Sequence, residues 1–504
     1  MMGRLDGPRP AVTDAVAGAS VAMVLIPQSL AYAKLAGLPP HIGLFASAFP
    51  VIAFSLFASS PFLQTGPTAV ISLLTFASLP DVDPVELPKL AALLALMVGA
   101  FRFVLGFARL GVLVRLIALP VVTGFTSGAA ILILASQVPR SVGLEAGDAG
   151  VLSEALSALG SPADWAWDAL LLSALTIVLF LSSRRIHPLF PGVLVAVVVG
   201  VVWERTIDYS GPVVDSVPEG LPPFSGDLPW GETPTLAIGA LVIALVGFAE
   251  PVSIARTFAN ETGQRWNANR EFMASGFANA VSAIAGGYPV GGSFSRSSIN
   301  KLAGATTRWS GGFTGLIVLA FLPFASVLEP LPQSVLGAIV FAAALSLVKP
   351  RRLLRLWRRS REQALLAWLV FGATLLSAPR VERAVLLGVA LTIVLHAWKR
   401  LHVERIEDTE TITLVPDGLL WLGTDDIFER AVTEAADGRR DVVIDFRHSP
   451  FVDDPAIQAM RAAALDLRGS GRRLSWCNEP EGTQRMLAAV GLGAGVTAND
   501  SSRD

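Results

Sequence analysis

Uncharged apolar runs recur through the first four hundred of 504 residues, at a spacing that only a lipid surrounding makes stable. Stretches 90–101, 129–138, 169–181, 236–248, 335–348 and 385–397 contain no charged residue, and with their flanks many approach the roughly 20 residues that cross a bilayer. The whole chain is 52% hydrophobic and only 16% charged, with a mean hydropathy of +0.57. A soluble chain of this length carries more charge. The fold class expected is a polytopic α-helical membrane protein. The opening MMGRLDGPRPAVTDAVAGASVAM shows no convincing cleavage site before Pro27-Gln28, so it reads as the first helix and not as a signal peptide.

From about Leu401 the pattern changes. Charge becomes dense, and VVIDF (442–446) precedes an amphipathic helical pattern from Pro455. This predicts a membrane part over 1–400 and a small soluble α/β domain over 401–504.

Charge also orders the loops. Arg4 and Arg9 precede the first helix, Asp81, Asp83 and Glu86 follow, and Arg102, Arg109 and Arg115 are expected around the next turn. Acid-rich 204–232 and basic KPRRLLRLWRRSR (349–361) continue the alternation. Under the positive-inside rule, fourteen crossings with two short ones fit, and both termini lie on the cytoplasmic side of the inner or plasma membrane. Topology accounts for the basic cluster, so no nucleic-acid partner is expected. One cysteine, Cys477, and five scattered histidines offer no ligand spacing, so neither metal nor cofactor is expected. No nucleophile–base set or phosphate loop argues for an enzyme.

The apolar part repeats. Pro27 is followed 39 residues later by Gly66, in LQTGPTAVISLLT, and Pro251 is followed 41 residues later by Gly292, in GGYPVGGSFSRSSIN. The offsets between the halves are 224 and 226 residues. Seven crossings per half make the copies run in opposite directions, over about 11–210 and 233–400. Pro27-Gln28 and Glu250-Pro251 are each expected to interrupt a helix. The third element of each half, 67–79 and 293–304, is too short to span. It follows glycine-rich backbone, which lipid tolerates only inside protein or along a cavity. Both short helices should therefore begin near the midplane, with free N–H groups and positive dipole ends facing one hollow, an anion site. Gly66, Gly291 and Gly292 let the backbones turn and approach there. Ser293 and Ser295 cap or donate, and Arg296 lies one turn in. An arginine at that depth costs about 2.5–3.5 kcal/mol on insertion scales, so water or an anion is its expected neighbour.

IPQSLAYAKLAGLPPHIGLFASAFP (26–50) resembles the first signature of the sulfate permease family of anion transporters. TGPTAVISLL (65–74) and GGYPVGGSFSRSSIN (286–300) are similar to its third and tenth segments. The C-terminal region looks like its STAS (sulfate transporter and anti-sigma-factor antagonist) domain. The resemblance implies a seven-plus-seven inverted repeat, a core domain moving against a gate domain, and a homodimer with cytoplasmic STAS domains; the domain here reads as structural or regulatory, contacting the membrane part or regulatory proteins. It also implies that Gln28, Tyr32, Thr68, Ser295 and Arg296 line the substrate site and that Glu250 carries the coupling proton. In the turn Phe451-Val452-Asp453-Asp454-Pro455, proline stands where phosphorylatable relatives accept phosphate, so that chemistry is lost. The expected function is proton-coupled uptake of sulfate or a C4-dicarboxylate such as fumarate. An exchanger or channel on the same scaffold, or a STAS-linked sensor, is the alternative.

Overall fold

The computed structural model describes residues 11–80, 82–109, 119–144, 150–187, 189–207, 209–214, 217–218, 220–222, 224, 226–262, 266–359, 361–398, 402–408, 411–417, 425–436, 441–449, 452, 454–469, 472–479, 483–484, 486–487 and 492. Asp453, in the turn where proline replaces the phosphate acceptor, lies outside them.

The first half holds helices α1 (Val12–Leu35), α2 (Pro40–Phe45), α3 (Phe49–Phe57), α4 (Ala69–Ser78), α5 (Leu87–Phe107), α6 (Leu119–Ser141), α7 (Val151–Gly160), α8 (Trp167–Ile186) and α9 (Gly192–Ile207). The second holds α10 (Thr233–Thr262), α11 (Ala268–Ile284), α12 (Phe294–Leu302), α13 (Trp309–Phe321), α14 (Gln333–Leu345), α15 (Pro350–Arg359), α16 (Arg361–Leu376) and α17 (Glu382–Trp398). Seven stretches among the described residues are long and apolar enough to cross a membrane. Helix α4, at 10 residues, and α12, at 9, are not. At 1.5 Å per residue each covers about 15 Å of a hydrocarbon core of about 30 Å.

Packing follows the repeat. Helix α1 packs on α12 and α13, and its counterpart α10 packs on α4 and α5. Likewise α3 meets α13 where α11 meets α5. Helix α8 packs on α14, while α6 passes α16 so closely that a Cβ at Gly124 would stand 2.2 Å from the Ala367 carbonyl oxygen. Exchanging the halves exchanges the partners.

Two buried carboxylates then bind one half to the other. Asp14 accepts from the backbone N–H of Thr306 (2.8 Å) and Thr307 (2.9 Å) and from the Thr307 hydroxyl (2.7 Å). Glu271 accepts from the backbone N–H of Ser59 (2.8 Å) and from its hydroxyl.

Two expectations change. Helices α1 and α10 run unbroken through Pro27 and Pro251. A proline removes one helical hydrogen bond, and both helices continue past that gap. Arg102, expected at a cytoplasmic turn, is wholly buried inside α5, which continues five residues beyond it.

The chain divides into two compact units, a helical one reaching to Leu387 and a smaller one holding the strands. The smaller unit contains β1 (His402–Glu407), β2 (Thr411–Asp417), α18 (Asp425–Ala436), β3 (Asp441–Asp445), α19 (Asp454–Gly469) and β4 (Leu474–Cys477). The sheet order is β1-β2-β3-β4, with the first pair antiparallel and the others parallel. Parallel neighbours need a crossover, which α18 and α19 supply. Ile412, Leu414, Phe428, Val442, Ile444 and Met460 join in one apolar core. At the end of β3, burial acts to raise the Asp445 pKa, but hydrogen bonds from Arg447 and Asn478 outweigh it and leave the carboxyl below the usual aspartate value.

Candidate functional site: an anion cradle between two short helices

The approaches to α4 and α12 meet. The Gly291 N–H donates to the Gly66 carbonyl and the Ser293 N–H to the Gln64 carbonyl, both at 3.0 Å. This is an antiparallel register, 291 with 66 and 293 with 64. The Gln64 N–H adds a bond to the Ser297 hydroxyl at 2.9 Å.

The glycines permit this meeting. Gly66 has φ +134°, a region that side chains rarely adopt. A Cβ at Gly291 would lie 2.4 Å from Ile71 Cδ1, and one at Gly292 would lie 2.8 Å from Leu63 Cδ1 and 3.0 Å from Pro251 Cγ.

Thr68 caps α4, its Oγ1 accepting from the Ile71 N–H at 3.4 Å. Ser293 occupies the equivalent position before α12 with extended backbone, but its side chain makes no capping bond. Ser295, half-buried, is the second residue of α12.

Arg296 is the third residue of α12 and has no exposed surface. Its Nε, Nη1 and Nη2 have no hydrogen-bond acceptor among the described residues. Nη2 lies 3.4 Å from where a Gly66 Cβ would stand, which puts the guanidinium against the approach to α4. Tyr32, Glu250 and Tyr288 are its electrostatic neighbours. Tyr32 and Gln28, one turn apart on α1, are both buried. The Tyr288 hydroxyl is hydrogen-bonded to that of Ser72 at 3.0 Å. Half-buried Glu250 accepts from the backbone N–H of Phe294, the first residue of α12, and faces Lys349 as well as Arg296.

A buried guanidinium without an acceptor is a strong site for an oxyanion, because its planar fork matches two oxygens at once. The amide tips of the two helices add positive potential from opposite sides. Of the residues singled out from sequence, Tyr32, Glu250, Gly66 and Arg296 converge, and Gly291, Gly292, Thr68 and Ser293 form the frame. Tyr288 was missed. The chain has only three tyrosines, and two of them adjoin Arg296, a scarcity that could have flagged it.

A family model described as the sulfate permease family matches residues 12–371. The chain is 32% identical over 404 residues to sulfate transporter 4.1, chloroplastic, of Arabidopsis thaliana, covering 77% of this chain and 59% of that protein. Against the sodium-independent sulfate anion transporter of Bos taurus it is 29% identical over 523 residues, covering 95% and 85%. Its fold resembles that of the murine solute carrier 26 member A9 anion transporter in the inward-facing state, with a TM-score of 0.69, 18% identity, and 97% and 88% coverage. The matched residues include both short helices and every side chain placed around Arg296, and the chain belongs to the sulfate permease family.

Proposed function

We propose that this protein is a secondary transporter that moves a small oxyanion, sulfate or a C4-dicarboxylate such as fumarate, through the cradle between α4 and α12. The single observation that carries this reading is Arg296, wholly buried at the tip of α12 with no acceptor for its three nitrogens among the described residues. The names of the relatives favour sulfate. Arg296 and Thr68 hold the anion, Gln28, Tyr32, Ser293 and Ser295 line its place, and Glu250 carries a coupling proton. α1–α5 with α10–α13 form a core that moves against a gate of α6–α9 with α14–α17. Fourteen crossings in the plasma membrane, cytoplasmic termini, a STAS identity for the strand-bearing unit and a homodimer complete the proposal. Full-length protein in liposomes tests it. An inward proton gradient should accumulate labelled sulfate or fumarate, and uptake of neither removes the symport reading.

The hydrogen bond from the Phe294 N–H to Glu250 favours a second reading, in which the carboxylate is a fixed partner of the helix tip and the protein exchanges anions without a proton. Glu250→Gln separates the two. A symporter loses accumulation, whereas an exchanger keeps counterflow.

A further inference from the structure

Arg102 is a buried cation that the cradle itself does not use. Helices α5 and α11 touch through glycines, since a Cβ at Gly99 would stand 2.8 Å from the Gly276 carbonyl oxygen and one at Gly276 would stand 2.6 Å from the Phe103 nitrogen. That closeness lets Arg102 reach across. Its Nη1 donates to the Ser275 hydroxyl (2.9 Å) and to the Val290 carbonyl (2.8 Å). Its Nε donates to the Ala244 carbonyl (3.2 Å) and its Nη2 to the Ile243 carbonyl (2.9 Å), both on α10. All four partners are neutral, so the arginine acts as a multi-pronged donor and not as half of an ion pair. Gly247 makes room for it, because a Cβ there would lie 2.7 Å from Nη2.

Val290 is held a second time. Asn279 accepts from the Val290 N–H at 2.9 Å and donates to its carbonyl at 3.1 Å. Both polar groups of one residue are thus fixed, and the next residue, Gly291, bonds to Gly66. Five positions further on comes Arg296.

We propose that Arg102 and Asn279 are positioning residues of the anion cradle: they clamp Val290 to α5, α10 and α11, and so fix where the tip of α12 and Arg296 stand without touching the anion. The inference rests on the anion-site reading above. Pre-organised donors spare an anion the cost of ordering the site, so a loosened approach to α12 lowers affinity even with Arg296 intact.

The test uses full-length protein in detergent, with Arg102→Met, Arg102→Lys, Asn279→Leu and Asn279→Asp as variants and sulfate as the probe. Two readouts are taken on variants that elute as single species: hydrogen–deuterium exchange of 288–296, and sulfate affinity. Exchange over 288–296 should rise about tenfold in Arg102→Met and Asn279→Leu while peptides from α5 stay protected. Sulfate affinity should fall about tenfold or more in the same two variants. Asn279→Asp keeps an acceptor for the Val290 N–H and should lie between wild type and Asn279→Leu. Arg102→Lys offers one compact donor head to acceptors on α10, on α11 and at Val290, and should fall short of full rescue. Unchanged exchange over 288–296 overturns the clamp, and this readout stands even if the wild-type protein binds no sulfate. Raised exchange with wild-type sulfate affinity overturns the positioning role. Failure of the wild-type protein itself to bind sulfate counts against the cradle reading.

Discussion

The N–H of Gly291 donates to the carbonyl of Gly66 at 3.0 Å, so the approaches to two short helices, one from each half of the chain, are hydrogen-bonded to each other. This contact places the two amide tips at one locus and makes the cradle a property of the repeat. The consequences can be measured.

Arg296→Ala should weaken sulfate binding by about 10- to 100-fold, the range of charge-assisted hydrogen bonds worth about 1.5–3 kcal/mol. Titration calorimetry on purified protein reads it. Unchanged affinity would remove Arg296 from the site.

Gly66→Ala puts a side chain on a backbone at φ +134°, a strain of about 1–3 kcal/mol. Gly291→Val drives carbon to within 2.4 Å of Ile71 Cδ1. Both variants should reach the membrane at near wild-type amounts yet transport at least about tenfold more slowly, by about 1.4 kcal/mol or more of barrier. Normal transport by either would show that the close approach is dispensable.

Glu250→Gln should abolish the dependence of uptake on an inward proton gradient while sulfate still binds. The signal is the ratio of accumulation with and without the gradient. A ratio that stays at the wild-type value assigns the coupling to another group.

Asp445 gives a prediction for the strand-bearing unit. Its carboxylate accepts from Arg447 Nε at 2.6 Å and from Asn478 Nδ2 at 2.9 Å. Because these bonds lower its pKa in the folded state, its stabilisation is complete above the unfolded aspartate value of about 3.9 and is lost only as pH falls through the lower folded value. Asp445→Asn in the full chain should therefore cost about 1–2 kcal/mol uniformly from about pH 5 to 8, read as faster proteolysis of that region. A cost that appears only on one side of neutrality contradicts the assignment.

Much of this architecture was legible because lipid leaves few readings open. Glycine-rich backbone beside Thr68 and Ser293 could lie among apolar runs only if buried, and the matching offsets from Pro27 and Pro251 carried the repeat. The prolines misled at short range, since the loss of one helical hydrogen bond at each does not end α1 or α10. Arg102 was placed at a turn because its apolar run ends one residue earlier. Its four acceptors come from sequence positions 141 to 188 residues away, and periodicity is blind to such partners. Asn279 drew no reading from sequence for the same reason. Ser293 shows a subtler limit: the capping position is right, but the side chain makes no capping bond.

The central claim, that α4, α12 and Arg296 form one oxyanion site, is tested most directly by a structure of the full chain with selenate, whose selenium scatters anomalously. The account predicts one peak between the first residues of the two short helices, with selenate oxygens within hydrogen-bond distance of the Arg296 guanidinium. A peak bound elsewhere, with Arg296 contacting only protein, would contradict it.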